Sequence, residues 1–227
     1  MFFDAGETLV HPHPTFPDLL AKVLLSEGHE VAVETIRDRG HVVFDRFQQA
    51  ADRNELWTTS PERSRRFWYD VYGIFLRELQ IPDAKGLVEI VHAAFTDRAN
   101  YALFDDVIPA LERLRDAGIR LGVVSNFEAW LELLLDELGV SGFFDVRIVS
   151  GVEGLEKPDP RIFELALERA GVTASESVYV GDNPAFDVEP ALAVGMFPVL
   201  IDRRERFPDA PGARITSMDQ LPAAMGM

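Results

Sequence analysis

Ser177-Val178-Tyr179-Val180-Gly181-Asp182-Asn183-Pro184-Ala185-Phe186-Asp187 decides how the rest of the chain reads. The segment Ser177–Val180 is apolar without alternation and stops at Gly181-Asp182. A strand of this kind has helices on both of its faces. Pro184 is favoured in the first turn of a helix, so Asp182 or Asn183 stands as a candidate cap, and Asp187 as a first-turn acid near the positive end of the helix dipole.

Working outward, the same alternation recurs. Upstream are Arg120-Leu-Gly-Val-Val124, a helix over 129–138, a strand over Val146–Val149 and a helix over Pro160–Ala170. Downstream are a helix over Val188–Val194 and a strand over Pro198–Ile201. Val107, Ile108, Leu111 and Leu114 mark one face of a further helix, closed by Ala117-Gly118. Strands alternating with helices of about ten residues predict parallel pairing through right-handed crossovers. The first strand is Met1-Phe2-Phe3, ending at Asp4. The fold class expected is α/β, a doubly wound Rossmann-like parallel sheet.

Between the first strand and the rest, the pattern is helical. Leu19, Leu20, Val23 and Leu24 share a helix face, as do Ile36, Val43, Phe44 and Phe47, then Phe67, Val71, Ile74 and Phe75, then Leu87, Ile90, Val91 and Phe95. No strand is evident there, and residues 5–17 read as a loop. The expected organisation is a core of residues 1–14 and 102–227 with an inserted all-helical cap over 15–101. Within the cap, Trp57, Arg63, Arg65, Arg66, Trp68 and Tyr69 are candidate substrate contacts, although such residues more often form core or solvated faces.

Composition limits the partners. A formal net charge of −16 argues against nucleic acid and acidic membrane surfaces, both of which need basic protein surface. There is no cysteine, which excludes disulfides and thiolate metal sites. No apolar run approaches the roughly 18 residues of a membrane span, and the N-terminus lacks a signal-peptide layout, so a cytoplasmic protein is expected. Only three lysines occur, Lys22, Lys85 and Lys157, so the position of each is informative.

In doubly wound sheets ligands bind at the carboxyl ends of the strands. The residues there are Asp4, Ser125-Asn126, Lys157-Pro158-Asp159-Pro160 and Gly181-Asp182, with Asp187 five residues on. Ser125 could cap a following helix, and Asp159-Pro160 reads as a cap and first-turn pair. Lys157 precedes a helix start, where a positive charge gains nothing from the dipole, and no helix follows Asp4 directly. Crowded carboxylates repel, and a divalent cation with oxygen ligands, Mg²⁺, relieves that cost. Aspartate can attack phosphorus to give an aspartyl-phosphate, with charge on the transferring group neutralised by Lys157, Ser125 and amides near Asn126.

In these segments the sequence resembles the haloacid dehalogenase superfamily, made up mostly of phosphatases. The first motif stands as Asp4-Ala5-Gly6-Glu7-Thr8-Leu9, the second as Ser125, the third as Lys157, and the fourth as Gly181-Asp182 through Asp187. The resemblance implies Asp4 as nucleophile and metal ligand. It further implies Asp182, Asp187 and the Gly6 carbonyl as Mg²⁺ ligands, and Ser125, Lys157, Thr8 and Asn126 around the phosphoryl group of a small phosphorylated metabolite. It also implies a cap that closes over the site. Family phosphatases carry an acid/base aspartate where this chain has Gly6. Such a group contributes about 10²–10⁴-fold in rate, so slow turnover is expected unless Glu7, His11, His13 or Glu128 substitutes. The competing expectations are a metal-independent 2-haloacid dehalogenase, which also lacks that aspartate, and a non-catalytic binding protein. A nucleotide-binding domain would want a Gly-rich turn after the first strand, which Ala5-Gly6-Glu7-Thr8 does not provide.

Overall fold

The computed structural model describes residues 1–53, 55–81, 86–208, 210 and 212–226, so Lys85 lies outside the described residues. The chain divides into two compact units, one of residues 1–10 with 103–227 and the other of residues 11–102.

The first unit is built on β1 (Phe2–Phe3), β4 (Gly122–Ser125), β5 (Val146–Val149), β6 (Val178–Gly181), β7 (Phe197–Ile201) and β8 (Ala213–Ile215). Two short strands, β2 (Val10–Pro12) and β3 (Tyr101–Leu103), lie where the chain passes between the units and pair with each other. Among the described residues the main sheet runs β5-β4-β1-β6-β7-β8, and each of its pairings is parallel. From β1 the chain builds outward through β4 and β5, then returns to the other side for β6, β7 and β8. The strand order therefore reverses between β1 and β6, the place where such sheets open a ligand crevice.

Both faces of this sheet are covered. Phe2, Val124, Ile148 and Tyr179 pack with Ile162, Phe163 and Ala166 of one helix and Ala191 of another. Their strand neighbours Phe3, Val123 and Val180 point the opposite way and are equally buried. Each such side chain contributes roughly 1.5–3 kcal/mol through burial. Gly122 is required by this packing, since a Cβ there would stand 2.8 Å from the Phe2 ring.

The second unit is helical: α1 (Phe16–Ser26), α2 (Val33–Asp38), α3 (His41–Asp52), α4 (Pro61–Glu78) and α5 (Leu87–Thr96). The first unit carries α6 (Val107–Asp116), α7 (Leu131–Glu137), α8 (Ser150–Glu153), α9 (Pro160–Ala170), α10 (Glu189–Ala193) and α11 (Leu221–Ala224). The helical unit's core is aromatic, with Trp57 stacked on Phe67 at 4.6 Å and Tyr72 stacked on Phe95 at 5.5 Å. Trp68 and Tyr69 pack against this core, Arg63 bonds to Thr59, and Arg65 pairs with Glu89.

Several expectations are corrected. The stretch read as a loop over 5–17 contains β2, and β8 adds a strand that the sequence pattern does not suggest. The helix read over 129–138 begins at Leu131, so Ser125 is not its cap. On α3 the buried face is Val42, Arg46 and Ala50, with Val43 and Phe47 only partly buried beside it. The reason is Arg46, a charged residue inside a helical core, which no hydrophobic periodicity anticipates.

Candidate active site

Asp4 follows β1 directly, and its backbone N–H donates to Val180 O at 2.8 Å, which holds it level with the end of β6. The next residues turn tightly on one carbonyl: Ala5 O accepts from the N–H groups of Leu9 and Val10 at 2.8 and 2.9 Å. This turn carries Gly6, Glu7 and Thr8 across the strand tips.

Lys157 lies between β5 and α9, and its ammonium is fully committed. Nζ donates to Asp4 Oδ1 at 2.8 Å, to Asp187 Oδ1 at 2.6 Å and to the Tyr179 hydroxyl at 2.9 Å. An ammonium has three donors, and each finds an acceptor. Tyr179 lies 2.8 Å from Val124 O, to which its own proton is free to go. The main chain of Lys157 is fixed by Asn126, whose carboxamide accepts from Lys157 N at 2.7 Å and donates to Lys157 O at 2.8 Å. The Asn126 loop is held in turn by Ser150, which accepts from Phe127 N at 2.9 Å and donates to Phe127 O at 3.1 Å.

Of the two residues considered as the cap after β6, Asn183 takes the role: its side chain accepts from Ala185 N and Phe186 N. Asp182 is left to face the crevice. Asp187 sits in a π-helical turn, Pro184–Val188, and its Oδ2 accepts from Asn183 N at 2.9 Å. This fold-back explains Gly181. A Cβ at that position would fall 2.3 Å from Asp187 Cγ, so only glycine lets the Asp187 carboxylate lie against the strand end.

The result is a cluster in which Asp4, Asp182 and Asp187 each bring a carboxylate oxygen within 4.8 Å of the others. Burial pushes the Asp4 carboxyl up, with Asp187 adding to the shift and Lys157 opposing it. Asp182 is pushed well above the usual carboxyl range, first by burial and then by Asp187, Asp4 and Glu7, against Arg206. Burial pulls Lys157 down, but Asp187 and Asp4 more than offset it, so the amine stays charged. Burial, reinforced by Asp187 and Asp4, raises Tyr179 well above its ordinary value and keeps its proton on.

Two buried hydroxyls stand at the same tips. Among the described residues, Thr8 Oγ1 and Ser125 Oγ make no hydrogen bond of good geometry, although Ser125 is near enough to Asp4 to lower its carboxyl slightly. A buried hydroxyl left unpaired costs about 1–3 kcal/mol, which is unusual for a group whose only role is structural.

Of the candidate acid/base residues, Glu7 carries a charge that bears on Asp182 and is paired with Arg204 at 2.7 Å. His11 Nδ1 is bonded to Pro12 O at 2.7 Å. At Gly6 an added Cβ meets nothing within 4 Å.

Sequence reasoning missed the loop after β7. Arg203 donates to Thr8 O at 2.9 Å and pairs bidentately with Asp106, and Arg206 donates to Asp182 Oδ2 at 3.2 Å. The signal was present, because Arg203, Arg204 and Arg206 follow the carboxyl end of a strand, where ligands bind in such sheets.

The family model for haloacid dehalogenase-like hydrolases matches residues 1–195. The chain belongs to that family. A glyceraldehyde 3-phosphate phosphatase of Methanopyrus kandleri is 36% identical over 143 residues, covering 61% of this chain and 60% of that protein. The chain spans between 56% and 65% of the length of this and other curated relatives that it matches. Among solved structures, a HAD phosphatase from Thermococcus onnurineus superposes with a TM-score of 0.62 at 27% identity, covering 99% of this chain and 96% of that one. A 2-haloacid dehalogenase from Pseudomonas syringae gives the same TM-score at 25% identity, with the same coverage of both chains. Overall likeness to these two structures does not separate phosphatase from dehalogenase chemistry, so the site residues must. No helix among the described residues is long and apolar enough to cross a membrane.

Proposed function

We propose that the protein is a Mg²⁺-dependent phosphatase of small phosphorylated metabolites that works through an aspartyl-phosphate on Asp4. The observation that carries this reading is the convergence of the Asp4, Asp182 and Asp187 carboxylates around one ammonium, that of Lys157. Three carboxylates with one embedded lysine leave excess negative charge in a partly dry site, and hard oxygen donors of this kind suit Mg²⁺. Asp4, Asp182, Asp187 and the Gly6 carbonyl would hold the ion, which supplies neutralisation of the phosphoryl oxygens when bound.

The protein's own residues divide the remaining work. Lys157 holds Asp4 Oδ1 and so orients the carboxylate, whose other oxygen attacks phosphorus as the ester bond breaks. Ser125 and Thr8 offer buried hydroxyls to the phosphoryl oxygens. Asn126 acts through Lys157, whose main chain it grips from both sides. The departing alkoxide takes its proton from water, because Gly6 has none to give. Water then attacks the aspartyl-phosphate, releasing inorganic phosphate and restoring Asp4.

A metal-independent dehalogenase is the second reading, favoured by Gly6 and by the likeness to the Pseudomonas enzyme. Asp182 weighs against it, since a further carboxylate beside Asp4, countered by Arg206 across 3.2 Å, raises the cost of the ionised nucleophile. A panel of phosphate monoesters assayed with and without Mg²⁺, with 2-chloropropionate as control, separates the two. Phosphate release only with Mg²⁺, abolished in Asp4→Asn, is expected. Metal-independent chloride release would replace this reading with the second.

A further inference from the structure

β7 ends at Ile201, and the chain turns over the sheet edge through Asp202-Arg203-Arg204-Glu205-Arg206-Phe207. The turn is pinned by Asp202, a buried carboxylate that accepts from the backbone N–H groups of Arg206 and Phe207, each at 2.8 Å, and from Arg214 Nε at 3.0 Å. The main chain is therefore fixed, while the arginine side chains reach different parts of the site.

Arg203 is partly buried and braces the Thr8 carbonyl, a structural contact. Arg206 differs in two respects. Its partner, Asp182, is one of the carboxylates of the cluster, and its side chain remains 33% exposed. The bond to Asp182 Oδ2 is 3.2 Å, longer than the 2.7–2.9 Å usual for charge-assisted pairs, and the guanidinium also lies 5.5 Å from the Phe207 ring centre. The bond to Asp182 is thus a long one, made from a partly exposed side chain on a backbone that does not need to move.

Charge counting gives this contact a role. With all groups ionised, Asp4, Asp182 and Asp187 carry three negative charges against Lys157 and Arg206, leaving one net negative. A divalent cation takes the cluster to one net positive, and Asp182 then has a stronger counter-charge than a guanidinium. A phosphate dianion brings the sum back to one net negative, with its oxygens at the same rim. We propose that Arg206 is an exchangeable counter-ion, which holds Asp182 until a divalent cation takes that carboxylate and then transfers to the anionic group of the bound phosphoryl compound. The proposal rests on the metal-dependent phosphatase reading.

The test is calorimetric and needs no turnover. Mg²⁺ is titrated into metal-free wild type, Arg206→Gln and Arg206→Lys, and inorganic phosphate is then titrated into each at saturating Mg²⁺. Removing the competing cation should tighten Mg²⁺ binding about tenfold in Arg206→Gln, within the usual range of coupling between sites. The same variant should bind phosphate several-fold more weakly, and Arg206→Lys should fall between it and wild type in both titrations. Opposite signs on one variant are not expected of a merely structural arginine. Mg²⁺ binding that is unchanged or weaker in Arg206→Gln overturns the exchange, and unchanged phosphate binding overturns the transfer to the anion. The phosphatase reading is checked separately with Asp182→Asn. If wild type binds Mg²⁺ and this variant does not, the metal site stands whatever Arg206 does, whereas equal binding by the two removes the metal site and the proposal together.

Discussion

Among the described residues, a buried cation lies between two carboxylates in each unit, Arg46 in one and Lys157 in the other, and the two cases differ in what surrounds them. In the helical unit Arg46 lies between Glu55 and Asp70, each at 2.8 Å, with its guanidinium 4.4 Å from the Phe67 ring centre. At the strand tips Lys157 lies between Asp4 and Asp187 at 2.8 and 2.6 Å. The Arg46 carboxylates keep access to water, Asp70 being half exposed, so their charge is solvated. Those of Lys157 are buried, a third carboxylate stands within reach, and unpaired hydroxyls lie beside them. One arrangement balances a single cation with two water-accessible carboxylates and ties α3 to α4, although Arg46 Nη1 makes no hydrogen bond of good geometry. The other is short of positive charge, as the proposed phosphatase site would be before it takes up a cation.

Replacing the two cations should produce effects of different kind and size. Removing one partner of a buried pair costs about 3–5 kcal/mol. Lys157→Met should lose about this much in denaturant unfolding and also abolish turnover, because Asp4 loses its orienting partner. Arg46→Met should cost about 1–3 kcal/mol, since its carboxylates return to water, and leave turnover per folded molecule unchanged. Equal losses of activity would remove the distinction.

Gly181→Ala asks whether the strand-tip geometry depends on a missing side chain. The Cβ would displace Asp187, and Mg²⁺ affinity should fall about 10–100-fold, the range for groups that orient metal ligands. Unchanged affinity would mean that Asp187 does not need its present seat.

Gly6→Asp restores a proton donor at a position with room for it and should raise turnover on unactivated monoesters by up to about 10²-fold, the lower range of acid–base catalysis. No gain in a folded, Mg²⁺-binding variant would show that the missing aspartate does not limit the rate.

The smallest effect concerns pH. Asp4 and Asp182 have raised folded pKa values, chiefly through burial, so their contribution to stability is present below the unfolded carboxyl range and lost as pH rises through the folded values. Mg²⁺ needs the ionised forms, and its stabilisation should grow over the same interval. The rise in melting temperature on adding Mg²⁺ should therefore be larger at pH 7.5 than at pH 5, by a few degrees. A constant rise would contradict the raised values.

The sheet was legible because strands buried on both faces are written as uninterrupted apolar runs, such as Val178-Tyr-Val and Gly122-Val-Val. Asp4 and Asp182 were legible as strand-tip residues because each stands directly after an apolar run, whereas Lys157 and Asp187 lie several residues beyond the ends of β5 and β6 and are brought to the tips by the fold. β8, Ala213-Arg-Ile, was not, since three residues with a charge in the middle carry no strand signal. Arg46 was hidden because burial by pairing leaves no trace in periodicity. Which of Asp182 and Asn183 caps the following turn depends on side-chain directions that sequence spacing leaves open. The grip of Asn126 on Lys157 spans 31 positions and joins two loops, so only the fold brings it together.

The claim that the strand-tip cluster is a site short of a cation is tested most directly by titrating Mg²⁺ into metal-free wild type and Asp182→Asn in a calorimeter. The account predicts saturable binding of one Mg²⁺ by wild type, lost or weakened at least tenfold in the variant. No binding by wild type, or equal binding by both, would contradict it.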